Sequence, residues 1–282
     1  MSLARVDDLG GAYADSLYAT DVLANTVGNL PAVDVDAIEE YRALGFLSVR
    51  EALTPQENQQ ALAGLRHLID NPKDGVDLQF EAWAQDQLAQ LHGDDRMDAV
   101  RKLQKFTHAE DRLLGIANHP GILRTVKAII GTDDIVLLQD MALLKPPGGG
   151  REKPWHQDKA FFNLDLDATI VGVWIALDAA TPENGCMHVI PGSHREGPIP
   201  HFKRRDWQIC DTDVDTARNV AVPLDPGGLL FFDGYIHHGT PQNRTATRRR
   251  ALQFHYVARD VLRITEEERL AVFGLEGRGA EC

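Results

Sequence analysis

Ile135-Val136-Leu137-Leu138-Gln139-Asp140-Met141-Ala142-Leu143-Leu144-Lys145 runs straight into Pro146-Pro147-Gly148-Gly149-Gly150. An apolar run rich in Leu, Ile and Val that stops at a Pro/Gly cluster reads as a strand closed by a turn. The pattern recurs downstream. Ile170–Leu177, Met187–Ile190, Val220–Leu224, Leu229–Phe232 and Ala251–Ala258 are short runs of the same kind. Pro191-Gly192-Ser193 and Pro226-Gly227-Gly228 punctuate them. Many short strands between such turns predict a sandwich or barrel over residues 131–262.

Upstream the period changes, and residues 34–130 are expected to be mostly helical. Ala37–Leu44 has a helical pattern that Gly45 ends, and Phe46-Leu47-Ser48-Val49 follows as a short strand. Thr54, Pro55 and Glu57 form a helix-start signature, a capping box with Pro at the first helical position. Ala61, Leu62, Leu65, Leu68 and Ile69 then recur at helical spacing until Asn71-Pro72. Residues 80–91 and 97–106 are also predicted helical, and Ile122–Ile130 is a short helix closed by Gly131. Residues 1–33 are expected to form a loosely attached arm, 197–218 a long polar insertion, and 263–282 a tail. The expected architecture is mainly β with α: a double-stranded β-helix, or jelly-roll, core with a helical N-terminal half packed on it.

Composition narrows the function. The chain has 282 residues, enough to bury a large core without disulfides or structural metal. A net charge of −13, spread along the chain, argues against nucleic acid as the main partner. Lys203-Arg204-Arg205 and Arg248-Arg249-Arg250 are too short to reverse it. Cys186, Cys210 and Cys282 are odd in number and widely spaced, so no disulfide framework is expected and a reducing compartment is inferred. No apolar run approaches the ~18 residues of a membrane span. Near the start, Asp7 and Asp8 stand where a signal peptide would be apolar. A cytoplasmic protein is expected.

Two His and one carboxylate around open positions suit non-haem Fe(II). His156-Gln157-Asp158 offers two such ligands, because residues i and i+2 of an extended segment share a face. The short motif does not select itself. His92/Asp94, His108/Glu110 and His194/Glu196 have the same spacing. Context favours 156/158, which follows the Pro/Gly loop out of a strand. The third ligand must come from a distant segment, and His237-His238 is the candidate pair.

A longer pattern surrounds this motif. It runs from Gln139-Asp140-Met141 through Lys145-Pro146-Pro147-Gly148 to Trp155-His156-Gln157-Asp158. Gly172-Val173-Trp174-Ile175-Ala176-Leu177-Asp178, Glu183-Asn184-Gly185-Cys186-Met187 and Ile190-Pro191-Gly192-Ser193-His194 follow. His238-Gly239-Thr240, Asn243 and Arg249-Arg250-Ala251-Leu252 close it. In order and spacing this resembles the phytanoyl-CoA dioxygenase (PhyH) family of Fe(II)/2-oxoglutarate oxygenases. The resemblance implies iron on His156, Asp158 and His238, the distal His being the one before Gly and a small hydroxyl residue. It implies Arg249 as partner of the 2-oxoglutarate distal carboxylate, a role that the guanidinium fork suits. It also implies Thr240 nearby, Lys102 (or Lys105) from the helical half, and Gln139, Met141 and Trp174 on the pocket wall.

With O2 as second cosubstrate, the implied reaction hydroxylates a C–H bond and releases succinate and CO2. Asp158 favours hydroxylation, since halogenating relatives carry Gly or Ala there. The family's substrates are small molecules: acyl-CoA thioesters, compatible-solute amino acids and natural-product scaffolds. Lys203, Arg204, Arg205 and Trp207 of the insertion are candidates for a substrate lid. The rival readings are a cupin-like hydrolase or isomerase with another metal, and a barrel that binds without turnover. Arg249 and Thr240 speak against the first, the intact ligand set against the second.

Overall fold

The computed structural model describes residues 5–7, 11–274 and 282. The strands are β1 Arg5–Asp7, β2 Thr26–Asn29, β3 Phe46–Glu51, β4 Asp77–Glu81, β5 Val100–Gln104, β6 Ile135–Lys145, β7 Lys153–His156 and β8 Val171–Ala176. They continue as β9 Met187–Val189, β10 His201–Lys203, β11 Trp207–Ile209, β12 Val220–Val222, β13 Leu229–Asp233, β14 His238–Thr240 and β15 Arg249–Ala258. The helices are α1 Val35–Leu44, α2 Pro55–Asp70, α3 Gly93–Ala99, α4 Asp111–Ala117, α5 Pro120–Ile130 and α6 Glu266–Phe273.

Nine strands form one sheet in the order β1-β4-β5-β6-β15-β8-β13-β3-β2, and four form a second, β12-β9-β14-β7. Strand alternation sorts the large sheet's side chains. Val171, Val173, Ile175, Phe231, Leu252, Phe254 and Tyr256 join Ala61, Leu65 and Leu68 of α2 and Ile122 and Val126 of α5 in one buried cluster. Their neighbours in sequence, Trp174, Ala176, Leu230, Phe232 and Ala251, instead join Met187, Val189, Ala221 and Val222 of the small sheet. The large sheet thus has helices on one face and the small sheet on the other. Each fully buried large apolar side chain contributes roughly 1.5–3 kcal/mol.

The helix ends follow their local chemistry. Thr54 and Glu57 form the expected capping box at α2, and Gly45 and Gly131 end α1 and α5 in the left-handed conformation. The expected strands between 135 and 258 all form, with ends shifted by one or two residues.

Expectations about two helices, about the N-terminal arm and about the cysteines are corrected. Residues 97–106 are not a helix: α3 ends at Ala99, and Val100–Gln104 is a strand between β4 and β6. Buried Met97, Val100, Leu103 and Phe106 recur every third residue, which mimics a helix, but pairing on both sides prevails. Residues 80–91 likewise begin in β4 and pass into a 3-10 segment, Ala82–Gln87. The N-terminal arm is not loose where it is described. β2 pairs with β3, and Tyr18 is buried and stacked on Trp155 with ring centroids 5.4 Å apart.

The last correction concerns the cysteines. Cys210 is bonded to Cys282 with Cα atoms 5.4 Å apart, while Cys186 is free and buried. The pair joins positions 72 residues apart, a closure that spacing alone does not reveal. The inference of a reducing compartment loses its support. Among the described residues no helix is long and apolar enough to cross a membrane.

Candidate active site

β7 and β14 lie antiparallel with His156 opposite His238. Directly opposed residues bring their side chains together, and the two imidazole centroids are 4.2 Å apart. Asp158 follows one residue beyond β7, in the first turn of the 3-10 segment Asp158–Phe161. The intervening Gln157 is extended, so its side chain leaves by the other face, donating to the Gly197 and Tyr235 carbonyls at 2.9 and 2.8 Å. His156 Nε2 stands 3.2 Å from Asp158 Oδ1, and His238 Nε2 3.6 Å from Oδ2. Among the described residues this is the one set of three or more His, Cys, Asp or Glu with ligand atoms close enough to share an ion, all within 4.8 Å. The distances leave His156, Asp158 and His238 able to close on a metal with positions open to cosubstrates.

The imidazoles are oriented for that. His156 Nδ1 donates to the Pro154 carbonyl at 2.7 Å and His238 Nδ1 to the Ile236 carbonyl at 3.0 Å. A carbonyl only accepts, so each proton sits on Nδ1 and each Nε2 lone pair faces the site. Burial, reinforced by His156, pushes His238 down to about 3, which keeps it neutral as a ligand must be. Burial works against ionisation of Asp158, but its contacts with the His238, His255 and His156 imidazoles outweigh it. Its pKa lies well below the usual carboxylate range.

A cavity of about 240 Å³ opens over these three residues. All six other residues that the sequence singles out line it: Lys102, Gln139, Met141, Trp174, Thr240 and Arg249. Arg249 is 1% exposed, and burial pulls it down to about 10. Its guanidinium lies over the Trp174 ring at 5.4 Å and donates to the Leu143 carbonyl at 3.3 Å. Arg249 Nε and Trp174 Nε1 are buried donors without a protein acceptor. Unmatched buried donors are costly, and a carboxylate in the cavity would satisfy both. The residues present therefore fit an iron ion at one end and the distal carboxylate of 2-oxoglutarate at the other.

Lys102 reaches the cavity from β5, and burial followed by Lys153 and Arg101 lowers it to about 8. The alternative, Lys105, is exposed with a φ of 59° beyond the end of β5, in a bend where Asp140 accepts from Thr107 N–H at 2.7 Å. His237 is buried, not on the surface, and its N–H donates to Ser193 Oγ at 2.8 Å, outside the metal set. The other His-x-acid motifs are spent elsewhere. His108 and His194 bond the Asp74 and Arg42 carbonyls, and His92 precedes α3 on the surface. Of the insertion's candidates, Lys203 and Arg204 are exposed, and Arg205 is paired with Glu152 and Asp211, each at 2.7 Å. Trp207 packs edge-on to Phe161 at 5.0 Å, while Asp206 is the insertion residue on the cavity wall.

Sequence reasoning missed several lining residues: Lys145, Phe161, Phe162 and Gln253, together with His255 beside Asp158. Lys145 is register partner of Arg249 and donates to the Thr240 carbonyl at 3.1 Å and to Pro241, anchoring the chain just after His238. A signal existed for Gln253 and His255. They alternate with Leu252, Phe254 and Tyr256, so two polar residues occupy the inward face of an otherwise apolar strand.

A family model for phytanoyl-CoA dioxygenase (PhyH) matches residues 41–251. A probable phytanoyl-CoA dioxygenase of Caenorhabditis elegans is 32% identical over 189 residues, covering 62% of this chain. The match takes in 59% of that relative's own length. Among solved structures, the non-haem monooxygenase ThoJ in its apo form is 27% identical with a TM-score of 0.65, over 82% of this chain and 80% of ThoJ. The epimerase SnoN, solved with Fe3+, alpha ketoglutarate and nogalamycin RO, shares the fold. Its TM-score is 0.65 at 21% identity, over 89% of this chain and 93% of SnoN. With the match extending over most of its length and enclosing the cavity-bearing strands, the chain belongs to the phytanoyl-CoA dioxygenase family of iron- and 2-oxoglutarate-dependent enzymes.

Proposed function

We propose that this chain is a 2-oxoglutarate-dependent non-haem iron dioxygenase that hydroxylates a C–H bond of a small-molecule substrate. The observation that carries the reading is one cavity holding both a buried two-His, one-carboxylate set and the unmatched Arg249 and Trp174 donors. Iron with 2-oxoglutarate and O2 supplies the oxidising chemistry, with succinate and CO2 as co-products. His156, Asp158 and His238 would hold the metal. Arg249 would pair the distal carboxylate, with Thr240 and Trp174 beside it and Lys102, Gln139 and Met141 along the wall.

The chain's own contribution is geometric and electrostatic. The Pro154 and Ile236 carbonyls fix two imidazoles with Nε2 forward. Phe161, Phe162, Met141 and Met187 give the cavity apolar walls that limit water around the reacting centre. Asp158 in place of Gly or Ala supports hydroxylation over halogenation. A small-molecule substrate is supported by the cavity's size and by the nogalamycin RO that SnoN carries in its structure. We read residues 34–282 as one oxygenase domain, its 131–262 core a double-stranded β-helix. Two facing sheets that share a core over β7–β15 support this.

The test is turnover of 2-oxoglutarate under O2, with Fe(II) added or withheld, across a panel of small-molecule substrates. Iron-dependent succinate, and one oxygen atom from O2 in the substrate product, are expected. Succinate without oxygen insertion would overturn hydroxylation, and no iron-dependent succinate would overturn the oxygenase reading.

A further inference from the structure

Asp158 has a second set of partners behind it. Its Oδ2 accepts from His255 Nε2 at 2.7 Å and from Gln253 Nε2 at 3.0 Å. Both donors come from β15, two residues apart and so on one face, and both are buried. An ionised carboxylate only accepts, so the His255 proton on this contact sits on Nε2. His255 Nδ1 is buried without a partner in an aromatic niche. That niche is formed by Phe162 and Phe232, with ring centroids 5.0 and 6.1 Å from the imidazole. Neither His255 nor Gln253 belongs to the metal set.

We propose that His255, assisted by Gln253, is a positioning residue that fixes the Asp158 carboxylate as a one-oxygen ligand. With two donors engaged on Oδ2, which also stands 3.6 Å from His238 Nε2, Oδ1 is the oxygen left without a donor, 3.2 Å from His156 Nε2. A carboxylate held by its side chain alone can rotate about its last bond and present either oxygen or both. Two donors on one oxygen remove that freedom before the metal arrives, so less ordering remains to be done on binding. The same β15 face carries Arg249, so one strand orients the metal carboxylate at one end and the cosubstrate anchor at the other.

The inference rests on the ligand assignment above, and the experiment separates the two. Co(II) alone is titrated anaerobically into the full chain, wild type and variants, and its dissociation constant is read. His255→Leu removes the donor at nearly constant volume, whereas His255→Gln keeps an N–H near the Nε2 position. His255→Leu is expected to weaken Co(II) binding about 10–100-fold. His255→Gln is expected to stay within roughly threefold of wild type, since it retains the donor. The thermal midpoint of the metal-free chain serves as the folding control, and Gln253→Met is the second variant where His255→Leu does not fold. Its expected effect is in the same direction and smaller. Wild-type affinity in the leucine variant, or in Gln253→Met where it stands in, would overturn the positioning role. So would a glutamine variant as weak as leucine. Failure of the wild-type chain to bind Co(II) would overturn the ligand assignment and this inference with it.

Discussion

Arg249 is a cation enclosed by protein, with one weak contact to a backbone carbonyl and a tryptophan face beneath it. Its neighbours in sequence are ordinary by comparison. Arg248 pairs with Asp98 at 2.6 Å and Arg250 with Asp178. Folding alone would not retain a buried guanidinium so poorly matched, because its desolvation is not offset by protein partners. On the proposed function, a ligand carboxylate would complete it. Arg249→Ala is therefore expected to raise the half-saturating 2-oxoglutarate concentration by roughly 10–100-fold, the loss of a charge-assisted pair of about 1.5–3 kcal/mol. Fe(II) affinity should change little. The check is succinate formation against 2-oxoglutarate concentration, and an unchanged requirement would remove Arg249 from the cosubstrate role. At this scale the sequence was informative where a spacing exists. The family resemblance singled out His156, Asp158, His238 and Arg249, and all four line one cavity. His255 was not singled out: its alternation with apolar neighbours marks an inward polar group, but its partner lies 97 residues away and nothing local names it.

At the scale of elements, the site depends on β8 as much as on the strands that carry ligands. Gly172 faces inward on β8, and a Cβ there would run into the Phe232 ring. That ring in turn packs against His238 at 4.9 Å and against His255. Gly172 thus makes room for the aromatic wedge that holds two imidazoles of the site. Gly172→Ala is expected to destabilise the metal-free chain by about 1–3 kcal/mol through overpacking. The denaturant midpoint of the metal-free chain measures this, and an unmoved midpoint would show that Phe232 yields freely. The strands of the core were readable because turns bound them and apolar runs mark them. β5 was not, since its apolar positions fall at helical spacing. Only its partners β4 and β6, one of them far downstream, make it a strand.

Across the whole molecule, the large sheet draws on both ends of the chain. β2 and β3 lie at one edge, β1, β4 and β5 at the other, and the helices cover its outer face. The expected division into a helical half and a β half conceals this exchange. Long-range pairing of this kind leaves little local trace, as does the bond between Cys210 and Cys282. What the sheets achieve together is one cavity lined by His156, Asp158, His238 and Arg249. The most direct test is anaerobic titration of the full chain with Fe(II) and 2-oxoglutarate while the visible spectrum is followed. A 2-oxo acid chelated to Fe(II) gives a charge-transfer band that neither component gives alone. The account predicts this band in the wild-type chain only when both are present, and its loss in Asp158→Ala. A wild-type chain that gives no band, or an Asp158→Ala chain that gives it undiminished, would contradict the account.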